Sequence, residues 1–131
     1  FGIWHDRNLA GSITVERIDA FNRVAEIGYW LGKEFVGRGI MRQSTAALID
    51  YLIDQRSINR IEIRCTTANV PSQSIPLHLG FRLEGTLRQA AYLQGRFHDH
   101  LLFAITADEW NRRKRGREAR KPATLARHAP A

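Results

Sequence analysis

The sequence has little of what marks a secreted or membrane protein. Cys65 is its only cysteine, so an intrachain disulfide is excluded, and a lone thiol suits a reducing compartment such as the cytoplasm. No stretch approaches the roughly 20 apolar residues that a membrane helix needs, and residues 1–6 lack the regions of a signal peptide. An initial Met is also absent, and the first residues read like the middle of a strand, which predicts a fragment or a trimmed product.

Most of the chain has no net charge. The 131 residues carry a net charge of +7, but residues 1–110 contain 12 basic and 12 acidic residues. The excess therefore lies in residues 111–131, which are rich in Arg, Lys and Ala and show no apolar periodicity. This composition predicts a disordered tail. A solvated extension and a contact with an acidic partner such as RNA both fit it, although no aromatic residues are interleaved for base stacking.

The length suits one domain, predicted to span residues 1–110. Apolar residues at three- and four-residue spacing after Gly39 predict a long helix. Pro71 near the start and Gly80 at the end mark a second, short helix. Residues 16–23 are polar and predict a loop, whereas alternating apolar residues predict strands at residues 3–4, 9–15, 25–31, 60–67, 81–87, 91–93 and 97–107.

The order of these elements predicts an α/β (α+β) fold. A strand, a helix and a further strand in succession require a right-handed crossover and a parallel pair, whereas hairpins add antiparallel pairs. The chain is therefore expected to form a mixed, twisted, mostly antiparallel sheet with helices packed on it.

One loop carries the clearest chemical signal. The strand at 25–31 runs into a segment with Gly37, Arg38 and Gly39, and this segment opens the long helix. Unpaired N–H groups and the helix dipole favour an anion at a helix start, and glycine lets a phosphate approach the backbone closely. The segment lacks the Lys-Ser/Thr of a Walker loop and the third glycine of the dinucleotide fingerprint. An ordinary tight turn fits it as well as a pyrophosphate site.

An ordered series of motifs resembles the GNAT family of N-acetyltransferases, in particular its ribosomal-protein N-terminal acetyltransferase branch of the RimJ/RimL type. The series extends over about residues 4–105 and consists of residues 25–31, 37–41, Asn69 with Ser72, 79–81, 84–88 and 96–99. The resemblance implies that the central parallel pair splays at the site of acetyl-CoA, the cosubstrate. It also implies a set of cofactor-binding residues, namely Tyr29, Trp30, Leu31, Val36, Gly37, Arg38, Gly39, Ile40, Met41, Asn69 and Ser72.

The resemblance further implies roles in acyl transfer. Ser72 is expected to lie near the sulfur and donate to the leaving thiolate, and the N–H of Tyr29 or Leu31 to face the oxyanion. Tyr92 and His98 are expected to line the acceptor site. Each residue also has a plainer interpretation, because Ser72 suits a helix start, Tyr29, Trp30 and Tyr92 suit a core, and His98 suits a solvated strand.

The sequence departs from the family pattern in three ways. The family usually has a strand and two helices before the point where this sequence begins, and the helices form one wall of the acceptor site. Ala91 occupies the place where this branch often has a glutamate, so Glu26 becomes the candidate base, with an outward strand carboxylate as the alternative. Pro76 lies inside the short helix, where it removes a backbone bond, and a kink or a very short first segment is expected to absorb the loss.

Metal and thiol chemistry are not expected. His98 and His100 share a strand face but have no evident third ligand, so no metal is predicted. Direct attack of the amine needs no covalent enzyme intermediate, and Cys65 is expected to be a small buried hydrophobe.

The expected function is acetyl transfer from acetyl-CoA to a primary amine, either a protein N-terminal α-amine, as on a ribosomal protein, or a small-molecule amine. One alternative is a nucleic-acid or ribosome-binding module that uses the basic tail. Another is a truncated, inactive acetyltransferase that keeps the coenzyme A site. Exposed sheet edges would favour pairing of two chains, so a homodimer is also predicted.

Overall fold

The computed structural model describes residues 1–5, 7–37 and 39–119. A short 3-10 helix at Lys33–Phe35 precedes the first of the three α-helices, which are α1 (Ile40–Arg56), α2 (Val70–His78) and α3 (Ala107–Ala119). The strands are β1 (Gly2–His5), β2 (Asn8–Asp19), β3 (Val24–Leu31), β4 (Arg60–Thr66), β5 (Arg82–Leu93) and β6 (Arg96–Thr106).

The strands form one sheet in the order β1-β2-β3-β4-β6-β5. β3 and β4 pair in parallel, and the other neighbours pair antiparallel. Helix α1 connects the parallel pair, because parallel strands need a crossover that returns the chain to the same end of the sheet. The predicted mixed, mostly antiparallel sheet with helices packed on it is confirmed.

The core lies on one face of the sheet. Ile61, Ile63 and Cys65 of β4 are buried, and the residues between them are partly exposed, as their alternation predicts. Helix α1 packs its own apolar stripe, which includes Ile49 and Leu52, into the same core cluster. Each fully buried side chain of this size contributes about 1.5–3 kcal/mol.

Helix α3 corrects the prediction of a disordered tail for residues 111–119. Thr106 and Glu109 form a capping box, since Thr106 N donates to Glu109 Oε1 at 3.0 Å and Glu109 N donates to Thr106 Oγ1 at 3.2 Å. Trp110 is buried and its Nε1 donates to Asp50 Oδ1 at 2.9 Å. The remaining prediction for the tail concerns residues 120–131, which lie outside the described residues. The domain boundary at residue 110 therefore falls within α3.

Two further strand predictions are wrong. Residues 16–19 continue β2 rather than forming a loop, because a register shift between Val15 and Arg17 lets the polar residues pair with β3. Residues 81–87 and 91–93 belong to one strand, β5, whose register shifts between Leu87 and Ala91. Within that shift Gln89 has a φ of 52°, and its N–H donates to Asp99 Oδ1 at 2.8 Å.

Pro76 lies inside α2, as predicted, and is buried. The missing N–H of Pro76 leaves the carbonyl of Ser72, four residues earlier, without its helical donor, and the Tyr29 hydroxyl donates to that carbonyl at 2.7 Å instead. None of the helices in the described ranges is long and apolar enough to cross a membrane.

Candidate functional site

The parallel pair opens into a wedge. β3 and β4 pair from Val24 with Arg60 to Ile27 with Ile63, and both strands continue beyond that point without further pairing to each other. The separation leaves strand edges facing each other across a gap, and such edges accept an extended ligand by main-chain hydrogen bonds. The splay that the family resemblance implied is therefore present.

A glycine-rich loop stands at the mouth of this wedge. Gly37 and Gly39 have φ of 87° and 74°, a region that favours glycine, and no atom lies within 4 Å of the position of a Cβ on Gly37. Gly39 is the N-cap of α1 and offers no side chain to the first N–H groups of the helix. The loop thus has the open backbone and uncapped helix start that suit an anion. Arg38 lies outside the described residues.

Helix α2 brings Ser72 to the other side of the wedge. Asn69 is the N-cap of this helix, and its Oδ1 accepts from Ser72 N at 3.2 Å. Ser72 Oγ donates to Cys65 Sγ at 3.6 Å, a weak bond because sulfur is a poor acceptor. The hydroxyl of Ser72 is therefore held near the floor of the wedge by a bond that a stronger acceptor can replace.

Tyr29 joins the two sides of the wedge. Its hydroxyl donates to the backbone carbonyl of Ser72 at 2.7 Å and lies 3.7 Å from Cys65 Sγ. Burial raises the pKa of the Tyr29 hydroxyl well above its usual range, and burial also raises the pKa of the Cys65 thiol. Both groups are thus neutral at physiological pH. Cys65 is buried, as expected, and helps to orient Ser72.

These elements enclose a cavity of about 400 Å³. Every described member of the predicted cofactor set lines it, namely Tyr29, Trp30, Leu31, Val36, Gly37, Gly39, Ile40, Met41, Asn69 and Ser72. Binding by these residues stays a prediction.

Sequence reasoning missed part of the lining. The cavity is also lined by one face of α2. The residues on this face recur at helical spacing and are Pro71, Ser74, Ile75 and His78. The same helical spacing, counted from the N-cap Asn69, would have predicted these four lining residues from the sequence. Arg42, in the first turn of α1, also lines the cavity.

Glu26 lies away from the cavity. It points from β3 to the face opposite the core, where its Oε1 is 3.1 Å from Arg64 Nε and 3.5 Å from Arg17 Nη2. The Arg64 contact has the distance of an ion pair but not the angle of a hydrogen bond. The carboxylate is thus held by two guanidinium groups.

Tyr92 and His98 are also outside the lining of the cavity. They belong to the β5–β6 hairpin, where the Tyr92 ring packs against Phe97 with 4.9 Å between centroids. His98 Nε2 lies 3.3 Å from the carbonyl of Leu93. The part of the chain that the structure describes contains no group of three His, Cys, Asp or Glu side chains placed to hold a metal ion.

A wedge between parallel strands, with a glycine-rich loop at its mouth, is what the motif series implied. The family model described as acetyltransferase (GNAT) domain matches residues 1–82. The chain belongs to this family.

Its relatives include named ribosomal-protein acetyltransferases. It is 36% identical over 113 residues to the putative ribosomal N-acetyltransferase YdaF of Bacillus subtilis, with 86% of this chain and 62% of the relative covered. It is 38% identical over 108 residues to the ribosomal-protein-serine acetyltransferase of Escherichia coli, with 82% of this chain and 60% of the relative covered. The chain thus spans less than two thirds of the length of these relatives.

Solved structures show the same likeness. A probable acetyltransferase is 37% identical with a TM-score of 0.79, covering 81% of this chain and 60% of its own. RimL, a ribosomal α-N-protein acetyltransferase in complex with coenzyme A, is 37% identical with a TM-score of 0.74. The match to RimL covers 79% of this chain and 58% of that chain.

Proposed function

We propose that this chain binds acetyl-CoA and transfers the acetyl group to a primary amine, the N-terminal α-amine of a protein such as a ribosomal protein. The observation that carries the proposal is the convergence of the strand wedge, the glycine-rich loop and Ser72 on one cavity. The names of the relatives support the ribosomal acceptor. A small-molecule amine is the variant acceptor.

Acetyl transfer by direct attack needs no covalent enzyme intermediate. A neutral amine attacks the thioester carbonyl carbon directly, the C–S bond breaks, and the amine proton leaves to a base or to water. The N–H of Tyr29 or Leu31 stabilises the negative charge that develops on the carbonyl oxygen. The hydroxyl of Ser72 donates a hydrogen bond to the departing sulfur, whose thiolate charge makes it a stronger acceptor than the present partner Cys65. The thiolate leaves as coenzyme A, or takes up a proton from water, and Ser72 keeps its own proton.

The proposal assigns the proton of the amine to a water path rather than to Glu26. The ion pairs with Arg17 and Arg64 hold the Glu26 carboxylate on the face opposite the core. Contact of Tyr92 and His98 with the acceptor remains part of the proposal, because the hairpin leaves the Tyr92 side chain exposed. The cytoplasm is the proposed location, in keeping with the free thiol of Cys65.

Calorimetric titration with acetyl-CoA tests the coenzyme site. We expect a micromolar dissociation constant for the wild type and a loss of roughly 100-fold or more for Gly39→Glu, because like charges in a binding site cost several kcal/mol. Gly95→Glu is the matched control, since Gly95 has a similar φ of 73° and lies in the turn of the β5–β6 hairpin. Equal losses in the two variants would contradict a phosphate site at Gly39.

An assay of acetyl transfer distinguishes an active acetyltransferase from one that only binds acetyl-CoA. Binding with acetyl transfer to an N-terminal peptide of a ribosomal protein supports the full activity. Binding without transfer to any peptide or small amine supports an inactive acetyltransferase that keeps the coenzyme site.

A contact with RNA or the ribosome is a second candidate. Helix α3 presents exposed Arg112, Arg115 and Arg117 before the basic residues that follow it. RNA binding that weakens steeply with salt and is lost when residues 120–131 are removed would support it.

The proposal also includes a homodimer that forms through an edge of the sheet. β1 and β5 are the edges of the sheet, and unpaired edges invite pairing with another chain. Sedimentation as a monomer at micromolar concentration would contradict the dimer.

A further inference from the structure

Two arginines lie at the rim of the cavity, Arg42 on α1 and Arg113 on α3, and Arg117 follows Arg113 by one turn of α3. Arg42 belongs to the first turn of α1 and lines the cavity. Its Nη2 lies 3.5 Å from the position of a Cβ on Gly39, so its guanidinium folds back over the glycine-rich loop. Arg113 and Arg117 are one turn apart on α3 and therefore share a face of that helix. We call Arg42, Arg113 and Arg117 the basic cluster.

Arg113 ties α3 to the rim of the cavity. Its Nη2 donates to the carbonyl of His78 at 2.9 Å, and His78 lines the cavity. Its guanidinium carbon lies 5.3 Å from the centroid of the Trp110 ring, within cation–π range. Two contacts thus fix its position, while a guanidinium has five N–H donors to offer.

The described side chains do not neutralise the basic cluster. Among the side chains of residues 1–5, 7–37 and 39–117, no carboxylate lies within 4.0 Å of a guanidinium of the cluster, whereas Arg17, Arg60 and Arg82 each have such a partner. Burial and repulsion from Arg117 and Arg42 lower the pKa of Arg113. Like charges held together in this way favour an anion with more than one negative charge.

We propose that the basic cluster binds the 3′-phosphate of the coenzyme, so that the chain distinguishes acetyl-CoA from acetyl-dephospho-CoA. This inference rests on the proposed function, because the glycine-rich loop must hold the pyrophosphate. Coenzyme A carries a phosphate monoester on the ribose that adjoins its pyrophosphate, and Arg42 extends from the same helix start as the loop. Guanidinium groups suit this dianion because they bind phosphate oxygens in pairs.

The test compares the two thioesters by calorimetry on the full chain. The wild type is expected to bind acetyl-CoA roughly 10- to 100-fold more tightly than acetyl-dephospho-CoA, the range for hydrogen bonds between charged groups. Arg117→Gln is expected to reduce that ratio severalfold while leaving the affinity for acetyl-dephospho-CoA unchanged. Arg42→Gln, at a residue that lines the cavity, is expected to weaken binding of acetyl-CoA more than binding of acetyl-dephospho-CoA and so to reduce the ratio as well. Arg115→Gln is the matched control, because it removes the same charge from another face of α3.

Each outcome decides between the two proposals. Equal affinity of the wild type for both thioesters would overturn the 3′-phosphate site and leave the proposed function intact. A ratio that survives both Arg42→Gln and Arg117→Gln, or that falls equally with Arg115→Gln, would overturn the assignment to the basic cluster. Binding of neither thioester by the folded chain would overturn the proposed function and this inference with it.

Discussion

Strand β4 pairs with β6 on one side and with β3 on the other, and the two ladders of backbone hydrogen bonds differ in length. Toward β6 the pairing continues along the whole strand, from Arg60 with Thr106 to Thr66 with His100. Toward β3 it stops at Ile63, although both strands go on. The continuous side makes the sheet stable, while the open side leaves backbone groups unpaired and the wedge accessible. Stability and the candidate site thus occupy opposite edges of one strand.

The largest change in stability is expected from a substitution on the continuous side, in the ladder between β4 and β6. Phe103 is buried and pairs with Ile63 in the ladder between β4 and β6. Phe103→Ala is expected to lower the free energy of unfolding by about 3–5 kcal/mol, because it removes apolar contact and leaves a cavity. Chemical denaturation measures the change. Phe97→Ala, on the exposed part of the same strand, is the control, and an equal loss there would contradict this account.

The next effect concerns the close approach of β2 to β3 beside the wedge. A Cβ on Gly11 would collide with the carbonyl oxygen of Trp30 and lie 2.9 Å from Leu31 Cα. Gly11→Ala is expected to cost about 1–3 kcal/mol of stability and to weaken acetyl-CoA binding, because it displaces two residues of the cavity wall. Denaturation and calorimetry measure the two effects.

Gly85→Ala provides the control for this substitution. Gly85 lies in β5 with no atom within 4 Å of its Cβ position, so its replacement is expected to leave stability and binding unchanged. If Gly11→Ala behaved in the same way, the close approach would have no role in shaping the wedge.

A smaller effect is expected at the contact that bridges the wedge. Tyr29→Phe removes the bond to the carbonyl of Ser72 and is expected to lower stability by about 1 kcal/mol. It is also expected to lower kcat more than it raises KM for acetyl-CoA, because Ser72 is then less well positioned. Tyr51→Phe, at an exposed position of α1, controls for the loss of a hydroxyl. A change in KM alone would assign Tyr29 to binding rather than positioning.

The smallest effect concerns the end of the continuous side, where α3 starts. The hydrogen bond from Thr106 N lowers the pKa of Glu109 below its usual 4.5. Because the folded-state pKa is depressed, the stabilisation is present above the unfolded pKa and is lost as pH falls through the folded pKa. Glu109→Gln is expected to cost about 0.5 kcal/mol at neutral pH, because the amide oxygen of Gln can still accept from Thr106 N. The difference in stability between the variant and the wild type is expected to disappear in acid.

Denaturation at a series of pH values measures that change. Asp108→Asn is the control, because Asp108 makes an exposed ion pair with Arg112 and is not part of the capping box. A pH-independent difference between Glu109→Gln and the wild type would contradict the capping role of the carboxylate.

The predictions that succeeded rest on local patterns. The alternation from Ile61 to Cys65 and the helical spacing after Gly39 placed β4 and α1, since both patterns are set by residues close in sequence. The prediction for residues 111–119 failed because α3 buries one large apolar residue, Trp110, which gives no periodicity. The capping box of Thr106 and Glu109 was readable in the sequence, and it is the signal that marks this helix.

The sequence by itself determined the family, the order of the elements and most residues that line the cavity, because motif spacing and apolar periodicity are local properties. Tertiary structure alone decided that the hydroxyl of Tyr29 reaches Ser72, that Glu26 is held by two arginines, and that Arg113 of α3 donates to the carbonyl of His78. These contacts join residues far apart in the chain. They depend on the twist and splay of the sheet, which no local pattern encodes.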